Sequence, residues 1–364
     1  MQLNSVSRKK LKQAKTLVLP KTVAFETGKV YLVGTDSEVR IDIEDDLFSS
    51  LVVNGFLCYE GESVSSIINL LAEGNEFTFQ GNDLEISSTA SRSSYRSTSS
   101  PSYRVPDSLR SYSELTPSLT FSITNVTEVA KALEFVSLAT KAKKGGVFTD
   151  RIFISDHKGT LSIKGTNNAV LNVVECDIAN LTTEQDKTSI ILAGKPAVKV
   201  AKLLKEEQLE CLLTTFDECA ILYLKGLDMY IRLDEVIGDT LDIEDLMKEI
   251  ATCEEELQIE SASMLIPPKE MLSGTDNANI EITSGSKVRV LVNHPGGKSS
   301  YDTEIDVSSS ITSTNLVIKS SSFFQCLLGM SESILIQWHK HNPAFISLSN
   351  GRSLSIHALV MGEK

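Results

Sequence analysis

Few residues in this chain are placed to do chemistry. The most conspicuous group is Trp338-His339-Lys340-His341-Asn342-Pro343, where His339 and His341, two apart, would share one face of a strand and could offer imidazoles to a metal. A metal site needs further ligands, and no acidic or cysteine partner stands at useful spacing. A strand ending in an Asn-Pro turn accounts for the same residues. The acidic runs Asp42 to Asp46 and Glu254 to Glu256 read as solvated charge rather than as acid/base pairs. The six cysteines (Cys58, Cys176, Cys211, Cys219, Cys253 and Cys326) include no C-x-x-C pair, which suggests reduced, mostly buried thiols in a cytoplasmic compartment. Phosphate-binding glycine loops, a zinc-protease helix motif and a nucleophile elbow are all missing from the sequence. The expectation is a protein without catalysis, cofactor or metal.

What remains is architecture. A chain of 364 residues with 41% hydrophobic and 23% charged residues is that of a soluble globular protein of two or three domains. No apolar run approaches the roughly 18 residues of a membrane span, so no membrane partner is expected. The basic N-terminus lacks an apolar core, so secretion is not expected. Two stretches, Gly28 to Glu44 (GKVYLVGTDSEVRIDIE) and Gly159 to Glu175 (GTLSIKGTNNAVLNVVE), share one pattern: apolar–polar alternation, a Gly-Thr-Asp or Gly-Thr-Asn turn, and alternation again. Period-two alternation of this kind marks half-buried strands.

The elements that follow each copy also recur. After the first come a strand in Ser50 to Tyr59, a helix over Ser63 to Glu73 with Ser63 as N-cap and Gly74 as its end, and strands Glu76 to Gln80 and Leu84 to Ser88. After the second come strand Thr188 to Ala193, helix Pro196 to Lys205, and strands at Leu209 to Thr214, Ala220 to Leu224 and Met229 to Leu233. A third pass runs through strand Asn315 to Lys319, helix Ser321 to Leu328, and strands Ile334 to Trp338, Phe345 to Leu348 and Ser353 to Leu359. Leading helices are expected at Ser7 to Leu17 and, capped by Asn125, at Val126 to Lys143. In the third repeat Pro267 and Pro268 keep any such helix short. The fold class is therefore α+β, three tandem copies of one small domain: 1–110, 111–245 and 246–364. Ser87 to Ser122 is either a flexible linker or, through Tyr95, Tyr103, Val105 and Leu109, a last strand with an ordered connector. Asp239 to Glu260 reads as a solvated acidic connector.

The charge is unevenly placed. A net charge of −13 argues at first against nucleic acid, yet the first helix carries Arg8, Lys9, Lys10, Lys12 and Lys15 with no acid among them. Lys195, Lys199, Lys202 and Lys205 gather on one side of the helix Pro196 to Lys205, and the helix from Val126 carries Lys131 and ends in Lys141, Lys143 and Lys144. Any one such helix is an ordinary solvated face. Three at equivalent repeat positions in an acidic chain suggest one surface that accepts a polyanion.

With the triple repeat and these helices in view, the chain resembles the bacterial-type DNA sliding clamps, the beta subunit of the replicative DNA polymerase III holoenzyme. The resemblance runs through nearly the whole chain and rests on element order more than on identities. Its most specific point is Thr166-Asn167-Asn168-Ala169-Val170-Leu171, where the family has a Thr-Asp-Gly-His-Arg-Leu-type turn. The resemblance implies a head-to-tail homodimer closed into a six-domain ring, with helices lining the inside and antiparallel sheets outside. It implies sequence-independent binding of double-stranded DNA and, as partners, the replicative DNA polymerase and a clamp loader in the cytoplasm. Arg8, Lys9, Lys12, Lys15, Lys131, Lys141, Lys143, Lys144, Lys195, Lys199, Lys202 and Lys205 would then face DNA. Thr166, Asn168, Ala169, Val170, Leu171, Leu246, Met247, Leu359, Val360 and Met361 would form a pocket for short apolar peptide motifs, and Tyr95 of one chain would meet Met271 and Leu272 of the other.

Besides the proline-interrupted helix of the third domain, this sequence departs from the family in three places around the pocket. The His-Arg pair of the turn is lost, the Phe-Pro-Asp-type connector is replaced by Leu241-Asp242-Ile243, and the C-terminus reads Leu359-Val360-Met361-Gly362-Glu363-Lys364 without the family's last apolar contacts. These losses imply an altered peptide preference, as in a viral or otherwise divergent version. Two other readings stay open: a three-domain scaffold that binds proteins without encircling DNA, and a hydrolase built on the His339 and His341 region.

Overall fold

Alternation in the two related phrases becomes antiparallel ladders. The computed structural model describes residues 2–35, 37–43, 56–89, 91–98, 104–140, 149–157, 159–177, 180–183, 189–207, 210–216, 219–236, 241–268, 278–283, 285–293, 300–311, 314–318, 320–330, 333–341 and 344–359. In the first phrase Val30 stands opposite Ile41 and Leu32 opposite Val39, all four fully buried. In the second, strands Thr160–Thr166 and Val170–Asp177 lie side by side in one sheet. The helices among the described residues include α1 (Ser5–Leu17), α2 (Ser63–Glu73), α3 (Val126–Thr140), α4 (Gly194–Glu207), α5 (Glu244–Ala251) and α6 (Ser320–Gly329).

The chain forms two compact units, Met1–Lys131 with Asp177–Ile237, and Ala132–Cys176 with Gly238–Lys364. The first unit holds a nine-stranded sheet in the order Asn180–Thr183, Leu119–Ile123, Cys211–Thr215, Cys219–Leu224, Met229–Asp234, Glu38–Asp42, Lys29–Val33, Thr22–Glu26, Leu57–Glu60. It therefore joins second-repeat to first-repeat strands by a ladder, with Tyr230 opposite Arg40 and Arg232 opposite Glu38. Arg232 closes that ladder with ion pairs of 3.1 Å to Glu38 and 2.7 Å to Asp234. A three-stranded sheet, Glu76–Gln80, Asp83–Ser87 and Arg92–Arg96, completes this unit's β structure.

In the second unit the order Arg151–His157, Thr160–Thr166, Val170–Asp177, Ser353–Ala358, Phe345–Ser349, Ile334–Trp338, Glu255–Ile259 makes the corresponding junction between second and third repeats. Leu171 stands opposite Ile356 and Val173 opposite Leu354. Its other sheet runs Ser300–Ile311, Gly285–Asn293, Ala278–Thr283, Thr314–Ile318. The element order repeats three times, while both large sheets run across the expected divisions at 110/111 and 245/246.

Local signals behaved with physical consistency. Gly74 ends α2 at φ +87°, a conformation that costs glycine little, and a Cβ there would lie 2.3 Å from Arg8 Nη1. Asn125 caps α3, its Oδ1 accepting the Glu128 N–H at 3.3 Å while its Nδ2 donates to Glu128 Oε2. Ser63 is not the cap of α2: it is the first helical residue, and its hydroxyl donates to the Glu60 carbonyl at 3.0 Å. Among its described residues the Ser-rich joint follows the ordered alternative, with strand Arg92–Arg96, a short helix Asp107–Arg110, and Val105 and Leu109 buried; Tyr103 lies outside the described residues. The acidic connector corrects the sequence reading, for it folds into α5 and strand Glu255–Ile259. Near the paired prolines a 3-10 turn covers Ala262–Leu265, and positions 269–277 of the expected third leading helix lie outside the described residues. Lys141, Lys143, Lys144, Met271, Leu272, Val360 and Met361 lie outside the described residues.

Candidate functional site

Two surfaces gather the residues singled out in the sequence, one basic and one apolar. The basic surface belongs to the first unit and begins with α1. Every third or fourth residue of α1 is buried (Ser7, Lys10, Leu11, Ala14, Leu17), and this places Lys9 and Lys12 on the exposed side. Lys10 turns the other way. Its buried Nζ donates to the Asp42 carbonyl at 3.1 Å and pairs with Asp228 at 3.3 Å, so it pins α1 to the nine-stranded sheet. Arg8 lies half-buried against Gly74, where the free carbonyls at the end of α2 favour a cation. Ser5, Arg8, Lys9, Lys12, Ala72 and Glu73 line an open recess of about 340 Å3 there. Lys15 donates to the Asn69 side chain on α2.

The second basic helix, α4, packs on α1. Lys199 donates to the Leu17 carbonyl at 3.1 Å and so satisfies the end of α1, whereas Lys195, Lys202 and Lys205 are exposed. Lys131 is exposed on α3. Within the first unit, then, α1 and α4 bring together Arg8, Lys9, Lys12, Lys15, Lys195, Lys202 and Lys205, with Lys199 spent partly on structure. Tyr95 stands on Arg92–Arg96, the last strand of the three-stranded sheet, and its hydroxyl meets Ser66 Oγ at 3.0 Å.

The apolar surface belongs to the second unit and is built around the Thr166–Leu171 turn. The Asn167 N–H donates to the Val170 carbonyl at 3.1 Å, closing the turn, and Asn168 adopts φ +69°, which asparagine tolerates better than most residues. Asn167 Oδ1 accepts from the Ala169 and Val170 amides at 3.0 and 2.9 Å. Thr166 Oγ1 donates to the Val170 carbonyl at 2.9 Å and accepts from the Asn168 amide. Thr166 and Asn167 thus hold the turn itself, and Asn168 is its exposed tip. The C-terminal strand runs alongside, with the Ala358 amide donating to the Ala169 carbonyl and the Leu359 amide to the Ala344 carbonyl.

Alternation then separates Val170 from Leu171. Val170 stands on the same side as Asn172, and Leu171 looks the other way into a cluster with Val173, Ile250, Phe345 and Ile356. Leu241, Ile243, Leu246, Cys253 and Leu354 pack against it half-buried, and Met247 is 41% exposed. Each fully buried aliphatic side chain here contributes about 2 kcal/mol. The structure therefore unites Leu171 and Leu246 in one cluster, places Met247 beside Leu246 on α5, and puts Val170 on the opposite face. Sequence reasoning missed Leu241, Ile243, Ile250, Val173 and Ile356. Their signals were the period-two step from Leu171 to Val173 and the three-then-four spacing of Ile243, Leu246 and Ile250.

One cation borders this cluster. Lys164, two residues before Thr166 on the same strand face, is half-buried, and loss of solvation pushes its ammonium below the ordinary lysine value. Asp242, Glu175 and Glu244 oppose that shift, in that order.

Elsewhere the titratable groups are structural. His339 Nδ1 meets Glu254 Oε2 at 3.2 Å and its ring lies edge-on to Phe345, while His341 is exposed. No group of three His, Cys, Asp or Glu residues able to hold a metal occurs among the described residues. None of the six cysteines is in a disulfide, and burial pushes the Cys58 and Cys211 thiols up to about 11 and about 12. No helix among the described residues is long and apolar enough to cross a membrane.

No protein-family model and no curated protein sequence matches the chain. Solved structures do. A Helicobacter pylori beta clamp bound to a DNA ligase peptide superposes with a TM-score of 0.75 at 11% identity, covering 99% of this chain and 100% of its own. The DNA polymerase III beta subunit of Pseudomonas aeruginosa gives 0.74 at 16% identity, covering 97% of this chain and 98% of its own. A sliding clamp from the same organism bound to griselimycin gives 0.73 at 15%. End to end, the chain has the fold of the bacterial DNA polymerase III beta sliding clamps.

Proposed function

We propose that this protein is a DNA sliding clamp: a non-catalytic ring, closed by head-to-tail pairing of two chains, that encircles double-stranded DNA and tethers the replicative polymerase after a clamp loader has placed it. The observation that carries this reading is the agreement in fold along 97–99% of the chain with beta clamps of two bacteria. The basic faces of α1 and α4 supply the electrostatics. Exposed lysines on helices hold phosphates without reading bases, so binding is independent of sequence and weakens steeply with salt. The remaining acidic surface discourages DNA from binding elsewhere. The cluster around Leu171 and Leu246 is the partner-peptide pocket, in the manner of the Helicobacter clamp with its ligase peptide. The repeats 1–110, 111–245 and 246–364 are the three domains of each half-ring. Tyr95 of one chain meets Met271 and Leu272 of the other at the ring joint, and the site of action is the cytoplasm.

The test is topological. The protein should have the solution mass of a dimer and, once loaded, stay on circular DNA far longer than on linear DNA. Replacing Lys9, Lys12, Lys199 and Lys202 together by Glu should abolish that retention. A protein that is monomeric under all conditions and leaves circular and linear DNA equally fast would end this reading. An unchanged quadruple variant would favour a scaffold that binds proteins only.

A further inference from the structure

The rim of the apolar cluster in the second unit is acidic, and its imbalance indicates what sort of peptide it receives; the argument rests on reading that cluster as a peptide pocket. The exposed Met247 and half-buried Leu241, Ile243 and Leu246 offer an apolar surface. Beside it three exposed carboxylates gather: Asp242 and Glu244 alternate with Leu241 and Ile243, which pack on the cluster, and Glu175 lies two residues beyond Val173 on the same strand face. Asp242 and Glu244 are exposed, on the same connector that supplies Leu241 and Ile243. Asp245 is already matched within α5, where it accepts from Lys248 at 2.9 Å. We propose that this pocket selects apolar peptide segments flanked by lysine or arginine, and disfavours those flanked by aspartate or glutamate. A cationic flank meets the exposed carboxylates of the rim, and an acidic flank meets like charge.

The experiment uses the full-length protein and two labelled synthetic peptides with one leucine- and phenylalanine-containing core, flanked by Lys-Lys or by Glu-Glu. Fluorescence anisotropy at low salt should give the lysine-flanked peptide about fivefold tighter binding, with the gap closing at about 1 M salt, where the screening length falls to about 3 Å. The double variant Asp242→Asn, Glu244→Lys keeps the side-chain acceptor that holds the Glu244 amide and should reverse the order. Equal binding of both peptides, tighter binding of the acidic one, or an order unchanged in the variant would overturn the proposal. If both peptides bind, both are weakened by Leu246→Ala, and the flank makes no difference, only the acidic-rim inference fails. If neither binds, or Leu246→Ala changes nothing, the peptide pocket itself fails and takes this inference with it.

Discussion

The two units solve one problem, joining the sheet of one repeat to the sheet of the next, and they solve it differently. In the first unit the junction of Met229–Asp234 with Glu38–Asp42 is roofed by the connector from Val105 to Leu115. Val105 and Leu109 are buried against Tyr31, Val33, Phe216 and Ile221, and Tyr112 and Leu115 pack on top. Arg40 bolts this roof down. Its guanidinium grips Asp42 at 2.6 and 2.7 Å, donates to the Leu109 carbonyl at 3.0 Å and lies 4.5 Å from the centre of the Tyr230 ring, which stacks on Tyr223. In the second unit the junction of Val170–Asp177 with Ser353–Ala358 is covered by α5. Leu246 is left half-buried and Met247 exposed. One junction is sealed by its own connector; the other keeps apolar surface in reserve.

The reverse faces invert the contrast. Behind the sealed junction Val39, Ile41, Met229 and Ile231 face one another, an all-apolar contact. Behind the open one Asn172 faces Ser355 and Val170 faces His357, all four buried, so that three of the four are polar. Ser355 Oγ donates to Asn172 Oδ1 at 2.6 Å and meets His357 Nε2 at 2.8 Å, and Asn172 Nδ2 donates to the Phe135 carbonyl at 2.9 Å. Burial depresses the His357 imidazole to about 3. A satisfied polar network fixes register more sharply than apolar contact, because a slip of one residue would strand every group in it.

Breaking the sealed junction should cost most. Arg40→Ala leaves Asp42 and the Leu109 carbonyl without their donor and should lower unfolding free energy by about 3 kcal/mol in denaturant titrations, with the second-unit pocket unaffected. Next comes acid. The folded-state His357 value lies below the ordinary 6.5, so the unfolded chain takes up its proton first as pH falls. The stability due to neutral His357 is complete above about pH 6.5 and drains toward pH 3 at about 1.4 kcal/mol per unit, or about 2 kcal/mol by pH 5. Urea titrations of His357→Gln between pH 7 and 5 should show that much less decline than the unmodified protein. Leu246→Ala should cost about 1 kcal/mol of stability, because the side chain is only half-buried, yet remove most peptide binding in an anisotropy titration. Met247→Ser should change stability by less than about 0.5 kcal/mol and still weaken peptide binding. If Leu246→Ala cost as much as Arg40→Ala, the two junctions would be alike after all.

Much of this was legible in the residues. Alternation in Gly28 to Glu44 and Gly159 to Glu175 specifies strands because its period matches the pleat, and Gly74 and Asn125 mark helix ends because their backbone or side chain suits only those places. What the sequence hid was non-local. Which strand of one repeat lies beside which strand of another depends on matched edges far apart in the chain, and no local period encodes that. Lys10 looked like its neighbours on α1 until the fold brought Asp42 and Asp228 beneath it. The acidic connector concealed α5 because Asp242, Glu244, Asp245 and Glu249 are interspersed among its apolar residues, although Ile243, Leu246 and Ile250 fall on one stripe.

The ladders that cross from repeat to repeat also determine how this protein can be taken apart. A fragment ending near residue 110 would expose the edge at Glu38–Asp42 and lose Met229–Asp234 from beside it. Unpaired edges of this kind recruit other chains. Each unit is assembled from two separate lengths of chain, so no single cut releases either. A nick in the connector near residue 100 would leave both pieces held by the same sheet. Excision in search of a minimal working part should therefore yield aggregates where it follows the repeats, while a nicked chain should run at its full mass until denatured.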